Sequence, residues 1–176
     1  MLNPWRCSSN LEMALSSHTI EVDIPAQTLT LKDGKGNSLM HARISSARNG
    51  AGEEIHSEKT PRGEHYIRAK IGAGLPPNSV LISRRPTGEL YSPELRAAFP
   101  NRDWILTRIL WLCGREPGKN RLGNVDTMRR YVYIHGCPDE DPMGVPGSRG
   151  CIKMRNNEII ELFDRVAPGT RVLIKG

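Results

Sequence analysis

The sequence predicts a mainly β fold with one or two short peripheral α-helices, and three observations predict it. Apolar residues alternate with polar ones at period two through His18–Ile44, and the last third of the chain opens and closes on strand-like runs, Tyr131–Ile134 and Thr170–Ile174. Turn-forming Gly, Asn and Pro punctuate these runs. Only one segment, around Ile159, Ile160, Leu162, Phe163 and Val166, has a clear helical apolar face. The 176 residues suit one domain, large enough to bury about two thirds of its unfolded surface without metals or bridges.

The elements follow in order. Residues 1–17 read as a tail, with Met13 an alternative start, ahead of a domain over 18–176. HTIEVDI (18–24) places Ile20, Val22 and Ile24 on one face; Gln27–Lys32 alternates through Leu29 and Leu31. Asp33-Gly34-Lys35-Gly36-Asn37 turns the chain into a third strand, Ser38–Ile44, completing an antiparallel meander. Residues 48–63 are polar and Gly-rich and read as a loop ending in Thr60-Pro61-x-Gly63. EHYIRAKI (64–71) and Val80-Leu81-Ile82 are strands on either side of a Pro-Pro break. Ser92-Pro93-Glu94 is a helix start, with an N-cap and Pro at the first turn. WILTRILWLC (104–113) is apolar on both faces and fits a buried strand or a helix equally. Residues 114–130 form a polar loop long enough for a lid or a disordered segment. Tyr131–Ile134 reads as a strand, Asn156 or Asn157 as the cap of the amphipathic helix, and Thr170–Ile174 as the closing strand after Pro168-Gly169.

Charge and composition exclude several functions. The chain carries 25 Lys and Arg against 19 Asp and Glu, a net +6. Residues 1–88 hold 11 basic and 8 acidic side chains and residues 89–176 hold 14 and 11, so no basic tail exists. With 3 Trp, 4 Tyr and 2 Phe, there are few aromatics for stacking bases, and no nucleic-acid partner is expected. No stretch is apolar enough to span a membrane, and the first eighteen residues have no apolar run beyond Met13-Ala14-Leu15. The expectation is a cytoplasmic protein with reduced thiols and no membrane partner; four cysteines (Cys7, Cys113, Cys137, Cys151) are too few for a disulfide scaffold.

One Cys–His arrangement carries chemistry. His135 ends a hydrophobic strand, and Cys151 follows within Ser148-Arg149-Gly150-Cys151-Ile152-Lys153-Met154. A thiol nucleophile needs a base within reach, which His supplies. Gly150 lets the backbone turn so that the N–H groups of Gly150 and Cys151 form an oxyanion hole, and Arg149, Lys153 and Arg155 favour thiolate and anionic substrate. Against this, a free Cys commonly packs as a small hydrophobe. His18, His41, His56 and His65 read as ordinary strand or loop residues, Cys113 as core, and Asp139-Glu140-Asp141 as a solvated loop tip. His135-x-Cys137 with Cys151 offers three zinc ligands where a structural site wants four, so no metal is expected; a Cys137–Cys151 bridge would block the nucleophile.

YIHGCPDEDPMGVPGSRGCIKM, with the helix and PGTRVLIKG after it, resembles the catalytic core of the L,D-transpeptidase (YkuD-domain) family. The opening hairpin and Thr60-Pro61-Arg62-Gly63-Glu64-His65-Tyr66 resemble further family elements, so the likeness runs from about His18 to Gly176. The resemblance implies a mixed, β-sandwich-like catalytic fold and an acyl-enzyme reaction on peptidoglycan stem tetrapeptides or muropeptides, without a cofactor. Cys151 would attack the carbonyl of the L-centre of the diamino acid at position three, with His135 as base and then acid towards the leaving D-alanine. The main-chain carbonyl of Arg149 would be the third triad member, with Gly150 beside it; Ser148, Lys153, Gly136 and Tyr133 would bind substrate. Arg149 stands where the family commonly has His, and Lys153 where it has Arg or Asn. Together with the expected compartment, the resemblance implies an L,D-carboxypeptidase of wall recycling. Cross-linking or D-amino-acid exchange is the alternative, and an inactive wall-peptide binding module is one of another class.

Overall fold

Alternation folds the first third into a meander. β1 (Thr19–Asp23), β2 (Thr28–Lys32) and β3 (Ser38–Arg43) pair antiparallel in sequence order, with Ile20 and Val22 opposite Leu31 and Leu29. The Asp33 carboxylate closes the β2–β3 turn by accepting from the N–H groups of Lys35 and Asn37. The structure, a computed structural model, describes residues 17–176. The expected tail, Ser17 apart, lies outside the described residues, as does Cys7.

Next come β4 (Gly63–Ile71), β5 (Ser79–Ile82), β6 (Arg85–Leu90), α1 (Pro93–Ala98) and β7 (Ile105–Gly114). β8 (Tyr133–Gly136), β9 (Ile152–Met154), α2 (Asn156–Asp164) and β10 (Arg171–Lys175) complete the described chain. One mixed sheet runs β3-β2-β1-β10-β4-β7-β5-β6, with β8 on β7 and β9 on β8. The β1–β10 and β8–β9 pairs are parallel. The sheet curls round α2: Ile20, Leu29, Ile67, Leu112, Ile134, Ile152 and Val172 share one core with Ile159, Leu162 and Phe163. Each such side chain contributes about 1.5–3 kcal/mol when fully buried.

The ambiguous segment 104–113 is a strand, and its double-sided burial explains the ambiguity. Leu110 and Leu112 face the main core, while Ile109 packs with Leu81 and Tyr133 on the opposite face. Several expectations need correction. β6 has no signature in the sequence because it is largely exposed and its Ser83–Arg84 turn reaches φ 48° and 64° without Gly or Asn. The last-third strand starts at Tyr133; Tyr131 has φ 55° and stands outside it. The 114–130 loop is packed down rather than lid-like: buried Asn120 donates to the carbonyls of Arg62 and Glu64, and the Asp126 carboxylate accepts from the Leu122 and Arg129 N–H groups. Arg155, not an asparagine, is the N-cap of α2; Asn156 is its first residue and is buried. The Ser92 N-cap of α1 forms as expected, its hydroxyl accepting from Leu95 N–H at 3.1 Å.

His65 proves to be more than an ordinary strand residue. It is fully buried, bonded at Nδ1 to Gly63 O and at Nε2 to Thr127 Oγ1, and burial lowers its pKa from 6.5 to about 4. A depressed His binds its proton more readily when unfolded, so stability falls as pH drops from 6.5 and the loss is complete below about 4. Urea titrations should show about 3 kcal/mol less stability at pH 4 from this group. A His65→Asn variant should lack that slope, and an unchanged slope would refute the assignment.

Candidate active site

Parallel pairing of β8 with β9 builds the site. Ile134 and Ile152 point into the main core, as does Met154. The alternate positions, Tyr133 and His135 on β8 and Cys151 and Lys153 at β9, therefore share the other face. The thiol sits against the start of β8: Tyr133 N–H donates to Sγ at 3.4 Å, and Sγ–H donates to Tyr131 O at 3.5 Å. Burial, assisted by the Asp103 charge, pushes the Cys151 thiol up to about 12, against the opposing pull of the Tyr133 N–H, Lys153 and Arg130. At neutral pH the resting thiol is therefore protonated.

His135 is buried, with Nδ1 2.7 Å from Gly136 O. A carbonyl only accepts, so Nδ1 carries the proton and Nε2 keeps its lone pair. Burial holds the imidazole below its usual 6.5, which keeps it neutral with Nε2 free to accept a proton. The carbonyl that orients His135 is thus that of Gly136, not the expected Arg149, because the next residue's carbonyl folds back onto the ring. Gly136 is itself buried and lines neither cleft described below, so its part is this acceptor and not substrate contact. A Cβ there would lie 2.5 Å from Asn156 Oδ1 and 2.7 Å from Leu106 O.

What crowds Gly136 is a bulge in β7. The pairing steps from Leu106–Gly136 to Ile109–His135, leaving Thr107 and Arg108 as extra residues, and Thr107 has φ 71°. A β-branched residue in that region is strained. Its hydroxyl compensates by donating to Asn156 Oδ1 at 2.6 Å and accepting from Asn78 N–H. Asn156 Nδ2 in turn donates to Asn78 Oδ1 and Cys137 O.

The loop before Cys151 is tied down at each residue. Ser148 Oγ donates to Cys151 O at 2.5 Å and accepts from Gly150 N–H at 3.1 Å. That bond occupies the Gly150 N–H, so of the two donors expected for an oxyanion hole only the Cys151 N–H is without a partner among the described residues. Gly150 has φ +129°, a conformation that disfavours a side chain. Thr60, from the Thr-Pro-x-Gly element, accepts from Ala47 N–H and donates to Gly150 O, both at 2.9 Å. Thr60→Val keeps the shape and orphans both groups. We expect it to cost about 2–3 kcal/mol in urea unfolding, with an alanine at the exposed Ser38 as a neutral control.

The expected cations take other posts. Lys153 Nζ donates to Asp141 Oδ2 at 2.9 Å, and Arg96 holds Oδ1 at 2.7 Å. Burial alone would raise the Asp141 carboxyl, but these two bonds outweigh it and hold it below its usual range. Asp141 is therefore a buried ion-pair centre and not part of a solvated tip; Glu140 bonds Tyr91, while Asp139 is exposed. Arg155 donates to the carbonyls of Pro138 and Asp139 and holds the loop rather than the thiol. Cys137 is buried with Sγ directed at Met154 O, and Cys113 is core.

Two clefts flank the Arg149–Cys151 segment. The larger, about 640 Å³, is lined by Cys151, Tyr133, Tyr131, Arg84 and His56, among others. The smaller, about 300 Å³, contains Ser148, Lys153, Arg96 and Arg48. Asp103 and Arg149 line both. His56, expected to be an ordinary residue, is in the larger cleft wall. In that wall Arg84 lies 4.7 Å from the ring centres of both Trp111 and Tyr131 and donates to Tyr133 Oη. Arg130 braces the 48–63 loop through the carbonyls of Gly52, Glu53 and Lys59. Asp103, Arg84 and Arg130 carry no local motif, so only their placement reveals them; Thr60 was within a motif already visible in the sequence.

Comparison with known proteins gives a consistent picture. The model of the L,D-transpeptidase catalytic domain (YkuD) matches residues 17–174. Over 45 residues the chain is 49% identical to YqjB of Bacillus subtilis (strain 168), 26% of either length. Over 45 residues it is 47% identical to the protein named "Probable L,D-transpeptidase ErfK/SrfK" of Escherichia coli (strain K12), 26% of this chain and 14% of that one. The matches thus span about a quarter or less of these relatives' lengths. Among solved structures, Bd1075 of Bdellovibrio bacteriovorus aligns over 92% of this chain and 49% of its own, with TM-score 0.57 and 21% identity. L,D-transpeptidase 3 of Mycobacterium tuberculosis, carrying a faropenem-derived adduct, aligns over 91% and 60%, with TM-score 0.56 and 14% identity. At those identities the two structures establish the shared fold.

Proposed function

Since the chain belongs to the L,D-transpeptidase catalytic domain family, we propose that it cleaves the bond between the L-centre of the diamino acid and D-alanine in peptidoglycan tetrapeptides, through a thioester on Cys151. The observation that carries this is His135, buried, neutral and held as the Nδ1–H tautomer on the same sheet face as the thiol. On substrate binding the thiol turns from Tyr131 O to Nε2, a contact that tightens only in the reacting complex. Sγ attacks the carbonyl carbon as its proton passes to Nε2, and the Cys151 N–H faces the developing oxyanion. The imidazolium then protonates the D-alanine nitrogen, the C–N bond breaks and the thioester remains. Water attacks next, giving its proton to Nε2, and the thiol leaves with that proton.

Water is proposed as the main acceptor. The second cleft, about 300 Å³, is at the low end of small-ligand sites and suits a released amino acid better than a second stem peptide. We place this hydrolysis in the cytoplasm, acting on soluble tetrapeptides or muropeptides; recovery of the protein in an envelope fraction would overturn that placement. Mass spectrometry with a tetrapeptide, with and without an added D-amino acid, tests the chemistry. Tripeptide and D-alanine should outweigh the exchange product, and a thioester should appear on Cys151 and vanish in Cys151→Ala. Exchange faster than tripeptide release would assign the protein to transfer instead, and an intact peptide with no adduct would mark a binding module.

A further inference from the structure

Asp103 and Arg149 are the two residues common to both clefts, and they carry opposite charges. Neither side chain makes a hydrogen bond or ion pair among the described residues. Their charged neighbours are mostly engaged: Arg96 and Lys153 with Asp141, Arg102 with Glu89, and Arg84 with Tyr133 and the aromatic wall. Arg48 in the smaller cleft, and Glu58 and Arg129 in the larger, are each confined to one cleft.

The residues on either side of the pair are bonded into the fold, while the two side chains are exposed and without partners among the described residues. Asp103 lies between Arg102, which pairs with Glu89 and stacks 4.8 Å from the Trp104 ring, and Trp104, which is buried. Arg149 lies between Ser148 and Gly150, which are bonded to Cys151 O, to each other and to Thr60. An acid and a base carried on hydrogen-bonded segments, unpaired and lining the same clefts, suit a ligand with complementary charges. Asp103 and Arg149 both line the larger cleft together with Cys151, which places the pair beside the thiol.

We propose that Asp103 and Arg149 together read an α-amino-acid zwitterion, Asp103 taking its ammonium and Arg149 its carboxylate. The position of that zwitterion next to a scissile bond rests on the peptide-cleaving reading above. Two sources share this chemistry: the far end of a diaminopimelate side chain at position three, and a free D-amino acid entering or leaving the site. A lysine side chain offers the ammonium alone and would use only Asp103.

Calorimetric binding to the full chain carrying Cys151→Ala separates the sources without relying on turnover. The probes are three tetrapeptides, with meso-diaminopimelate, with the same residue amidated on its side-chain carboxyl, and with lysine, together with free D-alanine. The diaminopimelate peptide should bind about tenfold tighter than the other two. Adding Arg149→Gln should erase that preference while leaving the lysine peptide unchanged, and Arg149→Lys should restore part of it. Adding Asp103→Asn should weaken all three peptides about tenfold. If the peptides show no preference but D-alanine binding is lost in both Asp103→Asn and Arg149→Gln, the zwitterion read is the free amino acid and the proposal stands with that source. Equal peptide affinities, with D-alanine binding absent or unchanged by both variants, overturn it. Absence of cleavage by the unmodified protein, with the binding preference intact, would refute the proposed reaction and leave this assignment standing.

Discussion

His135→Gln should lower kcat/KM for tetrapeptide cleavage by about a hundred- to ten-thousandfold, the usual contribution of a positioned general base. Glutamine can still donate a hydrogen bond but cannot take the thiol proton. The pH profile of the unmodified protein distinguishes how the pair works. Burial keeps the imidazole below 6.5 and lifts the thiol to about 12, so neither is charged at neutral pH. Activity should therefore rise with loss of the His135 proton at a midpoint below 6.5 and stay level through neutrality, with a solvent isotope effect on acylation. Iodoacetamide should alkylate Cys151 more slowly than free cysteine at pH 7.5. Rapid alkylation with a midpoint near pH 6 would instead reveal a resting thiolate–imidazolium pair and refute the neutral-pair assignment.

Gly136→Ala should damage both stability and activity. The added Cβ would meet Asn156 Oδ1 at 2.5 Å and Leu106 O at 2.7 Å, both held within the β7 bulge network. Neither neighbour can retreat without breaking buried hydrogen bonds, so the cost is about 2–4 kcal/mol, read as a Tm drop of about 5–10 °C. Activity should fall further than stability explains. Shifting the Gly136 carbonyl misaligns His135, and a displacement of about 1 Å at a catalytic group costs about a hundredfold. Assays at a temperature where the variant is fully folded by circular dichroism isolate this effect. Full activity there would show that the Gly136 carbonyl does not orient the base.

Legibility in the sequence depended on how local each interaction is. The meander, α1 with its Ser92 cap and the amphipathic α2 follow from spacing and turn chemistry within a few residues. Cys151 and His135 were visible because each stands in a distinctive local context, and Thr60 because its motif repeats a known element. β7 was ambiguous because two cores compete for its faces, and β6 was missed because its turn adopts positive φ without the residues that favour it.

The sequence by itself determined the mainly β class and the family resemblance, and singled out Cys151 and His135 as candidates. The tertiary structure alone decided what surrounds them. In the folded chain Gly136 O meets the imidazole, Ser148 takes the Gly150 N–H, Lys153 is drawn to Asp141, and parallel β8–β9 pairing sets Cys151 and His135 on one face. The fold also brought Asp103, from the entry to β7, to the same two clefts as Arg149. The physical reason is that electrostatic and hydrogen-bond partners are chosen by distance in space. A strand's own residues dictate its faces, whereas the groups that share a cleft arrive from chain segments tens of residues apart, and no local pattern records their meeting.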